Sequence, residues 1–124
     1  MELENMLVSH WKLRNPSQLA GMVQAIRHGS LLPPIIVGQW EGLPLQIING
    51  HHRAVAYWMA GVRDLAWGDF ILLEEPPMGI ASKGPLLAMV ERYRWAVEKS
   101  LRMGFHPSLE ELELLPPVTV SLQR

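Results

Sequence analysis

The stretch Ile47-Ile48-Asn49-Gly50-His51-His52-Arg53-Ala54-Val55-Ala56 decides how the rest of the chain is read. Leu45-Gln46-Ile47-Ile48 reads as a strand, Asn49-Gly50 breaks it, and the helix-favouring run Ala54–Ala60 follows until Gly61 closes it. Where a strand gives way to a helix so abruptly, the first-turn N–H groups of the helix fall outside its hydrogen-bond ladder, at the positive end of its dipole. Gly50 permits unusual dihedrals and a close approach of a ligand to the backbone. Arg53 adds a planar fork of donors suited to phosphate oxygens. His51 and His52 add donors whose charge depends on pH. Asn49 to Arg53 therefore hold the parts of an anion site. The same residues admit a purely structural reading, in which Gly50 turns the chain and Arg53 pairs with a carboxylate such as Glu74 or Glu75. Metal binding is not indicated, because adjacent histidines diverge on any regular backbone and no third ligand stands at a helical offset.

Upstream of the junction, Ile35-Ile36-Val37 reads as a buried strand and Gln39–Pro44 as a turn, which makes a hairpin with Leu45–Ile48. Pro33-Pro34 bars a helix from reaching that strand. Asn15-Pro16-Ser17 starts a helix whose apolar stripe is Leu19, Met22, Val23 and Ile26, and Gly29 ends it. Leu7–Arg14 reads as a first short strand. Downstream, Leu65–Leu73 is a further strand region with Gly68 as a turn or bulge, and Glu74–Gly84 reads as a linker. Pro85–Met103 is the longest helix, with Leu86, Met89, Val90, Tyr93, Val97 and Leu101 along one side. Ser108 with Glu111 matches a capping box for a last helix, Pro116-Pro117 stops it, and Val118–Leu122 reads as a terminal strand. The order of elements implies an α+β layer: residues 1–75 form the domain, and residues 76–124 a helical C-terminal extension packed on it.

Composition narrows the function. The 124 residues are 48% hydrophobic and 19% charged, enough for a core and too apolar for a disordered chain. The absence of cysteine excludes disulfides, thiolate zinc sites and cysteine nucleophiles. No apolar run reaches the roughly 20 residues that span a bilayer, so no membrane partner is expected. Met1-Glu2-Leu3-Glu4 is acidic where a signal peptide would be basic, which implies a cytoplasmic protein. The net charge of −1 gives no overall pull toward nucleic acid. Its distribution is uneven. Asn5 to Trp40 contains no acidic residue but holds His10, Lys12, Arg14, Arg27 and His28, whereas acids gather at Glu74-Glu75 and Glu110-Glu111-Glu113. An anion held near the first helix would account for that asymmetry, and ordinary solvated faces would account for it too. Trp58, Trp67 and Trp95 are expected in the core, and Trp40, in a turn, outside it. Arg92, Arg94, Lys99 and Arg102 read with Glu91 and Glu98 as a solvated helix face, or alternatively as a stripe facing nucleic-acid phosphates. The apolar side of that helix must be covered by the domain or by a second copy in a homodimer.

From Leu19 to Leu73 the ordered pattern resembles the ParB/sulfiredoxin-like superfamily. The resemblance is carried by the helix Gln18–His28, Gly29, Pro34-Ile35-Ile36-Val37, Leu45–Ile48, Gly50-His51-His52-Arg53-Ala54-Val55-Ala56 and Gly61. It implies a small mixed sheet flanked by helices, in which the Gly-x-x-Arg loop and the start of the first helix grip nucleotide phosphates. Carried over by position, Gly50, His51, His52 and Arg53 would cradle phosphate, with Asn49 beside them and Asn15, Ser17 and Gln18 as weaker nucleotide contacts. The cofactor implied is ATP, ADP or CTP with Mg2+, and phosphotransfer or nucleotide hydrolysis would be the activity. Two departures limit the carry-over. His51 stands where sulfiredoxins place their reactive cysteine, so sulfinic acid reduction by that route is excluded. The carboxylate base that free serine kinases of the superfamily keep near the first helix has no counterpart between Glu4 and Glu41. The alternative function is a DNA-associated accessory protein that contacts the phosphate backbone. Against it, the extension from Pro85 is short for the helix-turn-helix and dimerisation regions of partitioning proteins.

Overall fold

A computed structural model describes residues 1–12, 15–78 and 82–103. The apolar pattern closes into a five-stranded mixed sheet with three helices. Strands β1 (Leu7–Val8), β2 (Ile35–Gln39), β3 (Gln46–Asn49), β4 (Phe70–Glu74) and β5 (Gly84–Pro85) lie in the order β4-β2-β3-β1-β5. Helices α1 (Pro16–Arg27), α2 (His51–Met59) and α3 (Leu86–Arg102) pack against one another and against the sheet. The β2–β3 pair is the expected antiparallel hairpin, β1 runs parallel to β3, and β4 runs parallel to β2. This is an α+β fold.

Strand alternation decides which side chains meet the helices. Ile35, Val37, Ile47 and Phe70 point into the core, where Leu19, Val23, Val55, Met89, Tyr93 and Val97 cover them. The neighbouring positions Ile71 and Leu73 point the other way and stay 47% and 37% exposed. Burying each such core side chain contributes about 1.5–3 kcal/mol, and the core is continuous across all three helices. Helix α3 fills the space beside α1 and α2 and shares their core.

Several expectations need correction. The first strand does not run from Leu7 to Arg14. It ends at Val8, because Ser9 N–H is given to a histidine ring and Lys12 N–H to His10 Nδ1 (3.2 Å), which closes a turn. The fourth strand begins at Phe70 rather than Leu65, since Asp69 and Ala66 bond each other across a turn with Gly68 at φ +101. The stretch read as a linker ends in β5, a Gly-Pro strand too short to leave a pattern, which pairs with β1. Asn15 is the N-cap residue of α1, but its side chain makes no capping bond. Trp67 and Trp95 are not core residues. Trp67 rides the turn before β4 at 89% exposure, and Trp95 lies on the outer side of α3 at 56%. Trp40 is half-buried instead of exposed, with its ring over Gly38 and its indole N–H donating to Pro76 O at 3.2 Å. The helix at Ser108 and the strand at Val118 lie outside the described residues.

Gly38 leaves the space that Trp40 fills: a β-carbon there would meet the indole at 2.5 Å and Ile48 Cδ1 at 2.9 Å. Gly38→Ala must therefore push the indole off the sheet. The expected outcome is a loss of roughly 1–3 kcal/mol in urea unfolding, together with loss of the hydrogen-bonded Trp40 indole N–H resonance. An unchanged midpoint and resonance would contradict this packing.

Candidate functional site

The junction is built by three local features. First, the β2–β3 register slips: Ile36 faces Asn49 while Val37 faces Ile47, so Ile48 is an extra residue just before the strand ends. Bulges of this kind re-aim the chain that follows. Second, Gly50 takes φ +98 and ψ 28 as the N-cap of α2, a left-handed conformation that costs other residues roughly 1–2 kcal/mol. Third, the helix ladder starts with Ala54 N–H donating to Gly50 O at 2.9 Å. The N–H groups of His51, His52 and Arg53 therefore stand at the head of the helix, ahead of that ladder.

The two histidines are buried, at 3% and 5% exposure, and reach back to the segment after β1. Ser9 N–H donates to His51 Nε2 at 3.0 Å, with Ser9 Oγ 3.2 Å from the same nitrogen. An amide can only donate, so Nε2 of His51 carries no proton. His52 Nε2 lies 2.7 Å from Lys12 O. A carbonyl can only accept, so this Nε2 carries the proton. The His10 ring lies 4.0 Å from that of His51 and 6.0 Å from that of His52. Three imidazoles and the Lys12 backbone thus converge on one spot.

Beside them is a cavity of about 480 Å3 lined by His10, Lys12, Ile48, Asn49, Gly50, His51 and His52. That lies within the roughly 300–1,000 Å3 common for small-molecule sites. Among the described residues lining it there is no carboxylate. Four of the expected site residues, Asn49 through His52, are thus brought together. Arg53 is placed differently. Its NH1 donates to Pro33 O (2.8 Å) and Pro34 O (2.9 Å), and its NH2 reaches Asn49 Oδ1 at 3.4 Å. The guanidinium lies so close above Gly50 that a β-carbon there would meet it at 3.1 Å. These contacts strap the loop before β2 to the junction. Ser17 and Gln18, at the start of α1, are not among the lining residues. Ser17 Oγ and Gln18 Oε1 are buried and have no hydrogen-bond partner among the described residues.

Reasoning from spacing missed Ser9 and the direct part of His10 and Lys12. The one signal for the latter two was their place in the acid-free run Asn5–Trp40. Among the described residues no three of His, Asp or Glu converge as a metal site would need, and no helix is long and apolar enough to cross a membrane.

A mixed sheet whose hairpin strand bulges into a glycine-capped helix, with an arginine one turn in, defines a ParB-like α+β domain. The ParB N-terminal domain family matches residues 3–67, a little over half of the sequence, and the chain belongs to that family. Comparison with curated proteins and with solved structures gives no match.

The ring assignments can be read directly. Long-range 15N spectra of the histidines are expected to show His51 Nε2 as a bare ring nitrogen and His52 Nε2 as a protonated one. A protonated His51 Nε2 at neutral pH would contradict the bond from Ser9.

Proposed function

We propose that the cavity at the head of α2 binds the phosphate groups of a nucleotide or of another phosphorylated small molecule, with Mg2+ as the counter-ion of a nucleotide. The observation that carries this reading is the acid-free lining: amides of a helix start, Lys12 and imidazoles around one opening. Backbone N–H groups at a helix start favour negative charge, and Lys12 adds a positive point charge. Arg53 serves this site as a positioning residue that fixes Asn49–Gly50 through Pro33 and Pro34. Binding is the activity this arrangement supports. Phosphotransfer or hydrolysis would need a base as well, for which the described lining residues offer the imidazoles and Lys12.

Calorimetric titration of inorganic phosphate, ATP, ADP and CTP, the nucleotides with Mg2+, tests the reading against Lys12→Ala. Losing one charge-assisted contact is expected to weaken binding by roughly 1.5–3 kcal/mol, about tenfold or more. Arg53→Ala is expected to lower stability as well as affinity, because it releases the loop. Equal affinities for the parent chain and Lys12→Ala, or no binding of any of the four ligands, would overturn it.

A second reading, contact with a nucleic-acid backbone, is favoured by one observation. Arg92, Lys99 and Arg102 lie along one exposed side of α3 with no carboxylate at ion-pair distance among the described residues. If all three neutralise phosphates of a duplex, the logarithm of affinity should fall with the logarithm of salt at a slope near −2.7, about 0.9 for each phosphate. A slope near zero would exclude this reading.

A further inference from the structure

The two edges of the sheet are finished differently. At one edge, β5 is a two-residue Gly-Pro strand, and Pro85 has no N–H to offer a further strand. At the other, β4 runs for five residues, Phe70-Ile71-Leu72-Leu73-Glu74, in unbroken register against β2. Proline, lysine and bulges are the usual means of keeping an edge from pairing, and β4 contains none of them. The phase of its backbone is fixed by two bonds. Ile35 N–H donates to Asp69 O at 2.9 Å, and Glu75 N–H donates to Gln39 O at 2.8 Å, so the odd-numbered residues turn their polar groups toward β2. Alternation turns the N–H and C=O of Phe70, Leu72 and Glu74 to the free side, where no described residue bonds them.

Exposed apolar surface collects at the same edge. Of the large apolar side chains left exposed among the described residues, half lie between positions 67 and 78: Trp67, Ile71, Leu73 and Met78. Ile71 and Leu73 stand on the sheet face away from the helices, and Trp67 and Met78 flank the two ends of the strand. The edge is also self-complementary, which points to a second copy of the chain as its occupant.

We propose that β4 pairs antiparallel with β4 of a second copy, joining two five-stranded sheets across a two-fold axis at Leu72. Leu72 then faces its own copy, and Phe70 faces Glu74 on either side of the axis. Each of these pairs exchanges two hydrogen bonds, and every outward group of the strand is used. Ile71 of each copy faces Leu73 of the other, in the non-bonded positions where side chains approach most closely. A one-residue shift would set core-facing side chains against the open face. A two-residue shift in either direction loses a bonded pair and sets Leu73 against Asp69, or Ile71 against Glu75. In the chosen register a like-charge contact, Asp69 with Glu75, falls just outside the bonded pairs. Both carboxylates are held locally there, Asp69 by Ala66 N–H at 3.1 Å and Glu75 by Glu41 N–H at 2.7 Å. The cavity at the head of α2 lies on the β3–β1 side of the sheet, away from β4. Pairing leaves it open in both copies, and this inference stands whether or not it binds phosphate.

Sedimentation velocity of the full chain over a dilution series is the test. The interface is small, so the dimer is expected to dissociate on dilution. I71K/L73K sets lysine against lysine at both facing pairs, on a surface that is already exposed in the single chain. It is expected to stay folded, with the Trp40 indole resonance intact, and to associate about tenfold more weakly or worse, because like charges directly opposite destabilise a strand pair. I71K/L73E sets lysine against glutamate in this register, and like charges together in either shifted one, so it should restore the dimer. The sequence has no cysteine, which allows a second measurement that introduces no charge. Oxidised as a mixture, I71C and L73C are expected to cross-link faster than either variant alone. A parent chain that is monomeric at every concentration overturns the proposal and leaves the edge to a strand of another protein. A dimer that survives I71K/L73K is held through another surface and overturns it too. So does a dimer that I71K/L73E fails to restore, or a mixture that cross-links no faster than its components.

Discussion

Two buried imidazoles hold the site to the fold. β1 has two residues and cannot by its own ladder fix the chain that leaves it. His51 and His52 do so, one taking the amide of Ser9 and the other bonding the carbonyl of Lys12. A made hydrogen bond contributes only about 0.5–1.5 kcal/mol net, but a buried ring nitrogen left without one costs about 1–3 kcal/mol. The asymmetry matters more than the gain: residues 9–12 have few other places to go once α2 has formed. Adjacent histidines in one helical turn point apart, and here that divergence lets the pair hold two points of the same segment.

The same logic governs Gly50 and Arg53. A bulge at Ile48, a left-handed glycine and a guanidinium bonded to two carbonyls of the preceding loop all constrain one peptide plane. A site whose donors are held in place before a ligand arrives loses less entropy on binding it. The arginine does this from behind the junction. Its two bonds to the Pro33 and Pro34 carbonyls tie the Pro-Pro segment to the junction.

Most of the frame was legible in the sequence. The hairpin, α1 with Gly29 behind it, and the junction at Gly50 each rest on local rules that tertiary packing did not override. What failed were statements about side-chain surroundings. Trp67 and Trp95 were expected inside because large aromatics usually are, yet Trp67 sits on a turn that Asp69 closes and Trp95 is on the helix side opposite Tyr93. Arg53 could be placed at the junction from its spacing, but not its partners, since Pro33 and Pro34 reach it only through the sheet. Ser9 was invisible for the same reason: its bond to His51 spans 42 residues. The acid-free run from Asn5 to Trp40 carried part of that information, because it places His10 and Lys12 beside a helix start.

A net charge of −1 conceals a strong polarity along the sheet. The turn after β2 and the end of β4 bring Glu41, Glu74 and Glu75 together, with Glu41 N–H bonded to Glu75 Oε1 at 2.7 Å. Asn49, Gly50 and the imidazoles lie at the other end of β3. Four residues of strand span roughly 13 Å, more than the screening length of about 8 Å at physiological ionic strength. The acidic end therefore does little to cancel the field at the head of α2. Asp69 is the described acid at the cationic end of the sheet, and its carboxylate accepts Ala66 N–H within its own turn. The helix start, Lys12 and the three imidazoles thus stand at the end of β3 away from Glu41, Glu74 and Glu75.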